Sequence, residues 1–166
     1  LYIGEKVGAG GLKVDIALDP LEGTTITAHG GENALSVLAM ANEGGFLHAP
    51  DIYMHKIAYG KKYEGLEIDP KSPADQIVYE LSKYSRMKVE NLVVCILDRP
   101  RHQNLIALVR KTGARIKLIT DGDVSAVIAT TVEDSGVDIY LGAGGSPEGV
   151  LAAAALRCLG GKIYEK

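Results

Sequence analysis

The sequence predicts an α/β protein, with a mixed or antiparallel sheet in its first half and a parallel βαβαβα run in its second. Three observations carry this. From Leu1 to about Gly65, short β-type runs alternate with glycine-rich turns. From Ser72 onward, apolar strand-like runs alternate with helix-length segments, the pattern that builds a parallel sheet with right-handed crossovers. Glycine supplies 20 of 166 residues, about 12% against a usual ~7%, without a triplet period. Such glycines mark sharp turns and close backbone approaches rather than a collagen repeat. The composition shift divides the chain into a strand-rich segment, 1–70, and an α/β segment, 71–166.

In the first segment, VDIAL (Val14 to Leu18) reads as a strand. ALSVLAMA (Ala34 to Ala41) also reads as a strand, although so short an apolar run is compatible with a helix too. APDIYMHKIAYG (Ala49 to Gly60) reads as a third strand. The NEGG between these last two is of hairpin type and predicts that they pair antiparallel.

The second segment opens with Ser72-Pro73-Ala74-Asp75: a capping serine, a proline in the first turn and an acid near the positive helix end. This helix runs to about Tyr84. NLVVCIL (Asn91 to Leu97) follows as a strand, then HQNLIALVRKTG (His102 to Gly113) as a helix stopped by its glycine. RIKLI (Arg115 to Ile119) is a strand and DVSAVIATTV (Asp123 to Val132) a helix. VDIYLGA (Val137 to Ala143) is the last predicted strand. SPEGVLAAAALRCLGG (Ser146 to Gly161) is a helix capped by Ser146, with Pro147 in its first position and a glycine stop.

Composition narrows the function classes. Hydrophobic residues are 46% and charged residues 23%, so the chain can bury a core and disorder is excluded. A net charge of −3 lacks the basic footprint of a nucleic-acid binder. No run of 18 apolar residues predicts a membrane span, and Glu5 and Lys6 interrupt any leader-like start. Cys95 and Cys158 both lie in apolar runs and read as buried free thiols in a reducing compartment. The expected location is the cytoplasm.

In open α/β sheets, ligands bind beyond the carboxyl ends of the strands. The residues that follow each predicted strand are charged or glycine: Asp19-Pro20-Leu21-Glu22-Gly23-Thr24, Asp98-Arg99-Pro100-Arg101-His102, Asp121-Gly122-Asp123 and Gly144-Gly145-Ser146-Pro147-Glu148-Gly149. Asp19 and Glu22 are hard carboxylates suited to Mg²⁺, with Thr24 near enough to orient a water; a capped turn explains them equally well. Arg99 and Arg101 suit a phosphate, or else pair with Asp98 or Asp121 on the surface. Asp121 and Asp123 can be metal ligands, hydroxyl acceptors, or a turn and helix cap. The glycine turn at 144–149 enters a helix as a phosphate cradle would, with Glu148 in reach of a metal; a plain capped helix explains Ser146, Pro147 and Glu148 but not the glycines. The histidines His29, His48, His55 and His102 show no metal-ligand spacing and read as solvated or satisfied. Carboxylates for a divalent metal, arginines for phosphate and aspartates for hydroxyls together make the inventory of a metal-dependent phosphomonoesterase acting on a small polyol.

DPLEGT at Asp19 to Thr24 resembles the metal motif of the lithium-sensitive, inositol-monophosphatase-like sugar phosphatases. The ordered set LYIGEKVG, DPLEGT, APDIYMHK, RPRH, DGDV and GGSPEGV is similar to class II fructose-1,6-bisphosphatase across essentially the whole chain. The resemblance implies the layered α/β sugar-phosphatase architecture and hydrolysis of the 1-phosphate of fructose 1,6-bisphosphate in gluconeogenesis by water activated on Mg²⁺ or Mn²⁺. Sedoheptulose 1,7-bisphosphate is a second implied substrate, and an inositol-monophosphatase-like activity is the alternative within the class. Asp19, Glu22 and Glu148 are implied metal ligands. Thr24 and Glu22 are implied catalytic residues, and Glu22, Gly23 and Thr24 line the phosphate. Tyr53, Arg99, Pro100, Arg101, Asp121, Gly122, Asp123 and Gly145 are implied substrate contacts. The sugar bisphosphate is the implied partner, with assembly into a homo-oligomer, dimer or tetramer. Family members carry a segment upstream of LYIGEKVG that adds acidic residues to the metal site, and they continue past IYEK. A truncated, non-catalytic phosphosugar-binding core is therefore the alternative to an enzyme.

Overall fold

The computed structural model describes residues 3–166. Leu1 and Tyr2, which begin the LYIGEKVG stretch, lie outside the described residues. Five strands form the main sheet: β3 (Tyr53–Gly60), β4 (Val93–Leu97), β5 (Arg115–Ile119), β6 (Ile139–Gly145) and β7 (Gly161–Glu165). A separate ribbon holds β1 (Val14–Glu22) and β2 (Leu35–Asn42). The helices are α1 (Thr24–Ala28), α2 (Ala74–Ser85), α3 (Gln103–Thr112), α4 (Asp123–Ala129) and α5 (Ser146–Leu159).

The main sheet has the order β5-β4-β6-β3-β7. β4 is parallel to both β5 and β6, as the βαβαβα pattern requires. β3 is antiparallel to both β6 and β7, so the sheet is mixed. Strand side chains alternate between faces, and the two faces bury separate cores. Ile57, Tyr59, Val94, Ile96, Ile139 and Leu141 point to the side covered by Ile77, Val78 and Leu81 of α2 and Ile106 and Val109 of α3. Ala58, Cys95 and Tyr140, the intervening positions, meet Ala126 and Val127 of α4 and Ala152 and Leu156 of α5. The result is a helix–sheet–helix sandwich.

Several expectations are corrected. The NEGG turn does not close a hairpin: β2 pairs with β1, and β3 inserts between β6 and β7. The reason is burial. The last five residues of β3 are fully buried, whereas β2 alternates between exposed and half-buried positions, so only β3 suits the interior of a sheet covered on both faces. Pro73, not Ser72, caps α2. Gly145 caps α5, and the Ser146 hydroxyl instead donates to the Pro50 carbonyl. α4 ends at Ala129 and is capped by Gly122, leaving Asp123 as its first helical residue. Cys95 is buried, and burial pushes its thiol up to about 11, but Cys158 is exposed. Neither β7 nor the five-residue α1 is signalled by the sequence pattern. Among the described residues, no helix is long and apolar enough to cross a membrane.

Candidate active site

The topology itself opens a crevice. From β4 the chain crosses by α3 to β5 on one side, and from β6 it crosses by α5 toward the opposite edge. Ligand sites form at such a reversal, beyond the carboxyl ends of the two central strands. A cleft of about 150 Å³ lies there, lined by Tyr53, Leu97, Arg99, Arg101, Asp121, Asp123, Gly144, Gly145 and Glu148. A second hollow of about 310 Å³, bounded by Leu66, Glu67, Glu80, Lys83 and Tyr84, includes none of the residues named from the sequence.

Tyr53 enters the cleft because β3 runs backwards. Its first residue, rather than its last, pairs with Gly145 at the carboxyl end of β6. The exposed Tyr53 ring carries the Arg101 guanidinium at 4.7 Å. Arg101 Nε and Nη2 both donate to the Ala143 carbonyl, at 3.0 and 2.7 Å. Arg99 Nη1 donates to the Asp98 carbonyl at 3.2 Å, and Nη2 lies 3.6 Å from Asp121. Pro100 starts the 3-10 turn that separates the two arginines. Asp121 also accepts the Thr25 amide at 2.9 Å, which ties α1 to the cleft. Thr24 opens α1 with its side chain exposed, and Gly23 caps that helix.

Glu22 reaches this region through a bulge. The register of β1 against β2 shifts between Asp19, opposite Val37, and Glu22, opposite Leu35. The extra residue places Asp19 and Glu22 on the same face of the ribbon, which unbroken alternation would not do. Glu22 is buried; Oε1 accepts the Val124 amide at 3.2 Å, and Oε2 has no partner. Burial pushes its pKa up to about 7, and the charges of Asp123, Asp121 and Asp19 add to the rise. The Gly122 position favours glycine, since its φ is +84° and an added Cβ would sit 3.0 Å from Ser125 Oγ.

Asp123 makes an ion pair that the sequence reading missed. Lys56 Nζ, fully buried, lies 2.8 Å from Asp123 Oδ2. The available signal was parity: Lys56 shares a strand face with Ala58 and so was bound for the interior. Glu165, opposite Lys56 on β7, is pushed up by burial, with Lys56 opposing the rise. The glycines at the end of β6 serve these side chains. A Cβ on Gly144 would lie 2.5 Å from Asp123 Oδ2, and one on Gly145 would strike the Glu148 carboxylate.

The carboxylates assigned to metal are only partly gathered. Buried, unpartnered oxygens on Glu22 and Glu148 are hard donors of the kind a divalent cation takes. Asp19 instead accepts the Leu21 amide at 3.0 Å. Among the described residues, no group of three or more His, Cys, Asp or Glu side chains is close enough together to hold a metal ion. A joint site of Asp19, Glu22 and Glu148 is thus not assembled.

The Glu22 shift has a consequence for stability. A carboxyl raised in the folded state from 4.5 to about 7 binds more protons folded than unfolded between those values. Its contribution is fully present below about pH 4.5 and is lost as pH rises through about 7. Denaturant titrations of wild type and Glu22→Gln are expected to differ in this window, with the variant gaining relative stability toward pH 8. Parallel pH profiles for the two proteins would contradict it.

The sequence matches the family of bacterial fructose-1,6-bisphosphatases, glpX-encoded, over residues 1–166. It is 42% identical over 176 aligned residues to the "D-fructose 1,6-bisphosphatase class 2/sedoheptulose 1,7-bisphosphatase" of Synechococcus sp. (strain JA-3-3Ab), covering 96% of this chain and 50% of that protein. It is 48% identical over 164 residues to "Fructose-1,6-bisphosphatase 1 class 2" of Escherichia coli (strain K12), covering 98% of this chain and 48% of the relative. The chain therefore spans about half the length of the curated relatives it matches. Because the match spans the whole cleft-bearing sequence, the chain belongs to the bacterial, glpX-encoded fructose-1,6-bisphosphatase family.

Proposed function

We propose that the chain forms the substrate-binding core of a cytoplasmic, gluconeogenic, metal-dependent phosphatase that hydrolyses the 1-phosphate of fructose 1,6-bisphosphate, with sedoheptulose 1,7-bisphosphate as a second substrate. The observation that carries this reading is the cleft at the reversal of strand order, where two guanidiniums face two aspartates and a glutamate. Arg99 and Arg101 bind a phosphate as charge-assisted donors. Asp121 and Asp123 accept sugar hydroxyls, and Tyr53 backs Arg101 at the rim. Glu22 and Thr24 are the residues that would activate the attacking water. The buried, unpartnered oxygens of Glu22 and Glu148 are the donors that would take Mg²⁺ or Mn²⁺, and Asp19 would join them only by leaving the Leu21 amide. When bound, such an ion supplies polarisation of the phosphoryl oxygen and a more acidic water. A homo-oligomer, dimer or tetramer, belongs to this reading and is checked by light scattering.

The test is phosphate release from fructose 1,6-bisphosphate, sedoheptulose 1,7-bisphosphate and inositol monophosphate, with Mg²⁺, with Mn²⁺ and with chelator. Release from a sugar bisphosphate that chelator abolishes supports the reading. Preference for the inositol monophosphate overturns it.

A second reading has its own observation, the incomplete gathering of carboxylates. Under it, this chain binds the phosphosugar without turnover. Thermal stabilisation by fructose 1,6-bisphosphate in the absence of phosphate release identifies that case.

A further inference from the structure

β4 and β6 pair only at Val94 with Ile139 and Cys95 with Tyr140. Beyond those two positions the strands part, and the cleft lies where they do. Parting leaves the Leu97 carbonyl and the Ala143 amide without each other, on opposite sides of the gap. The imidazole of His102, 3% exposed, fills it. Nδ1 lies 2.7 Å from the Leu97 oxygen and Nε2 lies 2.8 Å from the Ala143 nitrogen. This bond pattern assigns the tautomer. A backbone amide only donates, so Nε2 is the acceptor, and Nδ1–H donates to the Leu97 carbonyl. Burial pushes the His102 pKa down and the nearby Arg101 and Arg99 charges act the same way, which keeps the ring neutral.

The bridge connects directly to the cleft. Ala143, held through its amide by His102, accepts both Nε and Nη2 of Arg101 on its carbonyl. Arg101 in turn lies over Tyr53. We propose that His102 is a positioning residue: its neutral ring acts as a side-chain rung between the parted ends of β4 and β6, setting the width of the crevice and the place of Arg101 for an anionic phosphosugar. The choice of ligand rests on the function proposed above; the rung itself does not.

Two variants and one spectrum test it. His102→Phe keeps a flat buried ring without either bond, and His102→Gln keeps one donor and one acceptor. Nitrogen-15 spectra of the wild-type ring at pH 7 are expected to show a protonated Nδ1 and a bare Nε2, the reverse of the tautomer that predominates in water. Amide exchange at Ala143 is expected to be slow in wild type and in the Gln variant, and fast in the Phe variant. Calorimetric binding of fructose 1,6-bisphosphate is expected to weaken about tenfold in His102→Phe, the size of one lost hydrogen bond, and to recover in His102→Gln. A protonated Nε2 in wild type, or His102→Phe binding as wild type does, overturns the proposal. If His102→Phe fails to fold, the wild-type spectrum and the Gln variant decide. If wild type binds no fructose 1,6-bisphosphate, the proposed function fails while the spectrum and the exchange rates still judge the rung.

Discussion

Lys56→Met is expected to lower stability by about 3–5 kcal/mol, the usual consequence of removing one partner from a buried ion pair. Methionine matches the length of the lysine stem, so the loss is electrostatic rather than a cavity. It strands the Asp123 carboxylate at the start of α4, only 10% exposed, beside Glu22, whose own ionisation Asp123 already disfavours. Urea titration measures the effect. The double variant Lys56→Met/Asp123→Asn is expected to regain most of the loss, because a neutral pair carries no stranded charge. A single variant within about 1 kcal/mol of wild type would show the pair to be worth no more than a surface bridge.

Asp19→Ala and Glu148→Ala are each expected to reduce phosphate release by roughly 10³-fold or more, equivalent to the several kcal/mol of transition-state stabilisation that a bound cation supplies. The structure predicts different side effects. Glu148 has a buried carboxylate oxygen without a partner, so its removal relieves a desolvated group and is expected to leave folding intact or improved. Asp19 accepts the Leu21 amide within the bulge, so its loss is expected to loosen the segment that buries Glu22. Circular dichroism melts beside the assay separate the two. Retained turnover in both variants would falsify their assignment to the metal.

The strand ends were legible in the sequence because the topology rule needs only local patterns: an apolar run, then polar residues or glycine. Arg99, Arg101, Asp121, Asp123, Gly145 and Glu148 were all marked this way, and the cleft brings them together. Tyr53 was not, because the rule assumes that strands run toward the site, and β3 runs away from it. It came only through the family resemblance. Lys56 was missed for a related reason. A lone lysine in an apolar run declares burial by its parity, but its counter-charge lies 67 residues away. The glycines of GAGG were noticed, and their role is now specific: Gly144 and Gly145 admit the carboxylates of Asp123 and Glu148 close to the backbone, and Gly142 makes room for the Tyr140 hydroxyl.

By itself the sequence determined the α/β class, the parallel β4–β5–β6 unit and the chemical inventory at the strand ends. These follow from periodicity, the glycines that stop α3 and α5, and glycine placement at the turns, which act over a few residues. Tertiary structure alone decided that β3 leaves β2 to enter the main sheet, that Lys56 neutralises Asp123, and that a bulge turns Glu22 onto the face of Asp19. Strand partners and buried ion pairs join residues far apart in the chain. Their choice depends on which competing surfaces are best buried once the whole fold has formed.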